Sequence, residues 1–60
     1  MNKGETLFNN ARISAQLIIN TALLKTPQVI RNAVNEICSL QAYKDIDRNK
    51  LILRLEKENC

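Results

Sequence analysis

Apolar residues recur along this chain at helical spacing in three stretches, separated by two places where the spacing fails. In the first stretch Phe8, Ala11, Ala15, Ile18 and Ala22 fall three or four residues apart, widened by Leu7, Ile19 and Leu23. This predicts a helix over about 6–24. Thr6 stands where its hydroxyl would accept an otherwise unpaired amide of the first turn. Three of the five stripe positions are alanine, which lets a second helix come close, while Phe8 and Ile18 supply bulk. Ile13, Leu17 and Leu24 form a second, narrower stripe well away from the first. A helix that is apolar on two sides needs two neighbours. The second is either the third helix of the same chain or a helix of another chain.

Lys25-Thr26-Pro27 interrupts the pattern with the only proline of the sequence. Inside a helix proline costs about 3 kcal/mol, but at the first helical position its missing amide costs almost nothing. The residue before it is pushed to extended geometry, which suits Thr26 as an N-cap. A second helix is therefore expected over about 27–43. Val29, Ile30, Ala33, Val34, Ile37, Cys38 and Leu40 lie on its inner side; Arg31, Asn32, Asn35, Glu36 and Ser39 lie outside. The period fails again in "YKDIDRNK". Asp45 or Asp47 is placed to cap a third helix of about 47–58 carrying Leu51, Ile52, Leu53 and Leu55. A single bent helix from 27 to 58 is the alternative, since neither glycine nor proline follows residue 27. "LILRL" also alternates like a strand, but an isolated strand has nothing to pair with.

The expected architecture is all-α, one small helical domain spanning 1–60. It is a helical hairpin or small three-helix bundle with helices at about 6–24, 27–43 and 47–58. A chain of 60 residues buries only about 60% of its unfolded surface, so a solitary core is marginal. Small domains compensate with disulfides, metals or a partner subunit. Here there is no histidine, and Cys38 and Cys60 are too few for a disulfide framework or a thiolate zinc site. Cys38 reads as a small core hydrophobe and Cys60 as an exposed thiol, with a Cys38–Cys60 bridge as the alternative. Completion by an antiparallel homodimer is the expectation that remains.

Charge and motifs narrow the function by exclusion. A net charge of +3 is spread along the chain rather than gathered into a basic arm. The opening segment lacks the pattern of a signal peptide and no run reaches membrane-spanning length, so a cytoplasmic protein with reduced thiols is expected. One glycine excludes a glycine-rich phosphate loop. Ser14, Ser39 and Cys60 have no histidine to activate them, and no enzymatic activity or cofactor is expected.

Three binding functions remain. The first is a non-enzymatic regulator, inhibitor or adaptor that binds another protein through a helix face, as a homodimer. Its candidate contact residues are Phe8, Ile13, Leu17, Leu24, Arg48 and Arg54. The second is a small nucleic-acid-binding helical regulator using Arg48, Lys50, Arg54 and Lys57. Interleaved Asp45, Asp47, Glu56 and Glu58 favour a plain solvated face instead. The third is an EF-hand-like calcium loop at 45–56, with Asp45, Asp47, Asn49 and Glu56 in ligand positions. Lys50 occupies the sixth place, where such loops need glycine for a sharp turn, which speaks against it.

Overall fold

The structure is a computed structural model that describes residues 3–59. Helix α1 spans Lys3–Asn20, α2 spans Pro27–Cys38, a single 3₁₀ turn covers Gln41–Tyr43, and α3 spans Arg48–Glu58. Among the described residues there is no strand. Residues 45–47, beyond the end of α2, line a cleft with Gly4, Glu5, Leu7 and Phe8, so α2 has carried the chain back to the start of α1. Phe8 then meets Lys50, Arg12 meets Glu58 and Gln16 meets Asn59, in the same order along both helices. The helices therefore run up, down and up, with α1 and α3 parallel. This is the small three-helix bundle rather than the two-helix hairpin.

Helix α1 begins and ends earlier than its apolar pattern suggests. Thr6 is not an N-cap; it lies inside the first turns, behind Glu5, whose charge suits the positive end of the helix. At the other end the helix stops at Asn20 rather than Leu24. The amides of Thr21 and Ala22 reach back three residues to the carbonyls of Ile18 and Ile19, at 3.1 and 3.0 Å. This tightened last turn satisfies carbonyls that a helix end leaves open. The Thr21 hydroxyl donates to the Ile18 carbonyl as well, at 2.6 Å. Thr21–Thr26 then forms the corner, longer than the Lys25-Thr26 hinge the sequence suggested. Reversal needs that length, and docking α2 against α1 outweighs one more turn of helix.

The start of α2 is as expected. Thr26 is extended, with φ −85° and ψ 162°, and its hydroxyl accepts from the Val29 amide at 3.3 Å; Pro27 opens the helix. The helix ends at Cys38, five residues short of the expected Tyr43. Ser39 closes it by donating its hydroxyl to the Glu36 carbonyl at 2.6 Å, and Leu40 is extended at ψ 140°. Thus residues 27–58 are two helices and not one bent one. Asp47 caps α3, accepting from the Lys50 amide at 3.2 Å.

The core joins Ala11, Ala15 and Ile19 of α1, Ile30, Ala33, Val34, Ile37 and Cys38 of α2, and Leu51 and Leu55 of α3. Ile19, fully buried, takes the place expected of Ile18, which is only half-buried, and Ala22 falls beyond the helix. Ala11, Ala15 and Ala33 are fully enclosed, as close helix approach requires. Cys38 is a buried free thiol, as its pattern suggested. Cys60, and with it the Cys38–Cys60 bridge, lies outside the described residues.

Candidate interaction surface

The surface is set by where α1 is anchored. Its side facing α3 carries Phe8, Arg12 and Gln16 at successive helical turns. The Lys50 ammonium sits 5.9 Å from the centre of the Phe8 ring, a cation–π distance. Arg12 Nη1 donates to Glu58 Oε1 at 3.1 Å, and Arg54 Nε donates to the other oxygen, Oε2, at 3.1 Å. Gln16 and Asn59 exchange amide hydrogen bonds of 2.9 and 2.8 Å. The two arginines hold the Glu58 carboxyl below its ordinary range, Arg54 through its hydrogen bond most and Arg12 in addition, against a partial loss of hydration. Arg12 Nε is buried and has no acceptor among the described residues.

With that side turned inward, the opposite side of α1 is fixed in solvent. Ile13 and Leu17 stand two positions either side of buried Ala15. At 100° per residue each is therefore turned about 160° from it, away from the core. They are 50% and 64% exposed. The second apolar stripe of the sequence is thus not covered by α3; α3 is met by the polar edge instead. Leu24 is 72% exposed but lies on the corner beyond the helix, so only Ile13 and Leu17 share the helical face. Around them are Thr6, Asn9, Asn10 and Asn20, all exposed and all uncharged.

The remaining candidate residues do not extend this surface. Phe8 is half-buried against the core, its ring under Lys50. Arg48 and Arg54 are six residues apart in α3, about 120° around the helix, so they do not form one basic face. Arg54 is also engaged by Glu58. The calcium loop is not formed. Residues 48–58 are helix, the Asp47 carboxylate caps that helix, and Glu56 lies two turns along it. No group of three acidic, cysteine or histidine side chains able to hold a metal occurs among the described residues.

A cleft of about 560 Å³ separates the start of α1 from the loop before α3. Glu5, Asp45 and Asp47 stand around it with Phe8 and Lys50. These carboxylates lie at the N-terminal ends of α1 and α3, where negative charge is favourable to the helices themselves.

The polar edge Arg12–Gln16 against Glu58–Asn59 was not anticipated from sequence. Its trace there is two long polar residues spaced one helical turn apart beside an apolar stripe. Comparison of the chain with protein-family models, curated proteins and solved structures found no match, so function rests on the geometry. No helix among the described residues is long and apolar enough to cross a membrane.

Proposed function

We propose that this protein is a small non-enzymatic regulator, inhibitor or adaptor that works by helix-mediated binding to another protein chain. The outer face of α1 is the binding surface. The observation that carries this is the exposure of Ile13 and Leu17 on the side of α1 opposite its own core. Neighbouring helical turns of aliphatic side chains are the usual means by which one helix reads another. The marginal size of the core argues the same way, because association adds burial that a 60-residue chain lacks on its own. The absence of histidine from the sequence removes the usual neutral-pH acid–base group and supports a binding role over a catalytic one. The protein acts in the cytoplasm, where Cys38 stays reduced.

A photo-crosslinking side chain at Leu17, introduced in the source cell, tests this reading. A discrete covalent adduct to a protein chain is expected, and it is lost when Ile13 is changed to Lys while the helical circular dichroism is retained. An adduct that persists in Ile13→Lys, or no adduct at all, overturns the reading.

A further inference from the structure

Four exposed residues of α1's outer face are placed symmetrically about Ala15. Ile13 and Leu17 lie two positions either side of Ala15, and Asn10 and Asn20 lie five positions either side. All four are on the exposed side. From Asn10 to Asn20 these four residues read amide, aliphatic, aliphatic, amide in either direction. A two-fold interface asks for that property, because each surface must complement itself.

The charge distribution agrees. Between Glu5 and Lys25 the chain carries one charged residue, Arg12, and it is turned to Glu58 on α3. The outer face therefore offers no charge for an acidic or basic partner to recognise, and two copies meet there without like-charge repulsion. Direction follows from the same placement: only antiparallel pairing about Ala15 sets Asn10 against Asn20 and Ile13 against Leu17 of a second copy.

We infer that the chain occupying this face is a second copy of the protein, with the two α1 helices antiparallel about a two-fold axis at Ala15. Ile13 packs on Leu17 of the second copy, and Leu17 on its Ile13. Asn10 faces Asn20 of the second copy at both ends of the seam. Asn20 Oδ1 already accepts from Gln16 Nε2 at 2.8 Å, which leaves its amide N–H groups to donate to Asn10 across the seam. Paired amides flanking an aliphatic centre fix one register, since any slip buries an amide against an aliphatic side chain. Four aliphatic side chains make a small seam, so the dimer belongs to the weak, reversible class. This deepens the proposed function by naming the chain that α1 binds.

The test uses the purified full chain, measured by light scattering and sedimentation from micromolar to millimolar concentration. The expected mass climbs from 6.9 kDa toward twice that value. Ile13→Lys and Leu17→Lys should each weaken the dimer by about tenfold or more with helix content unchanged, because both side chains are central and exposed in the monomer. Raising the salt should change the dissociation constant little, since the seam holds no charge.

Register is read by mixing Asn10→Cys with Asn20→Cys, both in a Cys60→Ser background with Cys38 left in the core. Oxidation should give the mixed 10–20 disulfide in preference to 10–10 and 20–20. Preference for the like pairs overturns the antiparallel arrangement, and a mass that stays monomeric throughout overturns the second copy altogether. If the monomer nevertheless forms the cellular adduct through Leu17, the second copy is wrong while binding to a different protein stands. A monomer without that adduct removes both.

Discussion

Gln16, one turn before the end of α1, and Asn59, at the end of α3, hold each other by two amide hydrogen bonds, 2.9 and 2.8 Å long. Asn59 also ties back to the Leu55 carbonyl through its side chain at 2.7 Å, so the same residue ends α3 and fastens it to α1. Substituting either partner by alanine should cost about 1 kcal/mol, the net worth of such bonds, more if the surviving amide is left unpaired. In a double-mutant cycle followed by urea unfolding, the second substitution should cost much less than the first. Simple additivity would show that the pair contributes nothing as a pair.

Arg12 makes an ion pair with Glu58, yet its own Nε is buried with no acceptor among the described residues. Partly exposed ion pairs are weak and screened, whereas an unsatisfied buried donor costs about 1–3 kcal/mol. Arg12→Met keeps the length of the side chain along the helix boundary and removes that donor. Its thermal midpoint should equal or exceed that of the parent, by the equivalent of up to about 1 kcal/mol. A clear drop in the midpoint would mean that the charge matters more than the orphaned nitrogen.

Glu58 gives the stability a sign in acid. Its carboxyl titrates below the ordinary value, chiefly because Arg54 and then Arg12 bond to the ionised form. A group lowered on folding stabilises above its unfolded value, and that stabilisation is lost as pH falls through the folded one. At neutral pH the parent should therefore unfold at higher temperature than Glu58→Gln. The difference should narrow as pH drops below the ordinary carboxylate range. A difference that widens in acid would reverse the assignment.

Leu55 is fully enclosed, one turn beyond Leu51 on α3. Leu55→Ala should cost about 2–5 kcal/mol. A single core of this size rarely supplies more than about 3–5 kcal/mol, so much of the variant should be unfolded at room temperature, seen as lost helical circular dichroism. Leu53→Ala, at an exposed site on the same helix, is the comparison and should stay folded.

The Thr26 cap offers a milder perturbation at the corner. Thr26→Ala removes the acceptor of the Val29 amide and should cost about 0.5–2 kcal/mol in equilibrium unfolding. Thr26→Ser should restore most of the loss. A Ser variant no better than Ala would show that the hydroxyl is not the stabilising group.

The sequence made the helix starts legible where a chemical group enforces them. Thr26-Pro27 and Asp47 each carry a local reason for a boundary, and both boundaries fall there. The ends were harder to place. Nothing in Leu23-Leu24 or in Leu40-Gln41-Ala42-Tyr43 forbids helix locally. Those segments leave it because the chain must reverse twice, which is a demand of packing. The same distinction separates the parts of the surface. Ile13 and Leu17 were visible as a second stripe by their spacing alone. That they stay uncovered depends on Arg12 and Gln16 turning to α3, a long-range relation that periodicity does not encode.

Cys38 makes the bundle its own timekeeper. The thiol is enclosed among the other α2 core side chains and within the same cluster as Ile19 and Leu55. A thiol-specific reagent reaches it only when the helices part, so the rate of modification at that residue counts openings. Substitutions anywhere in the fold can then be ranked by how often each lets the core breathe, under conditions where nearly every molecule is folded. If pairing along α1 adds burial, the count should fall as the protein concentration rises.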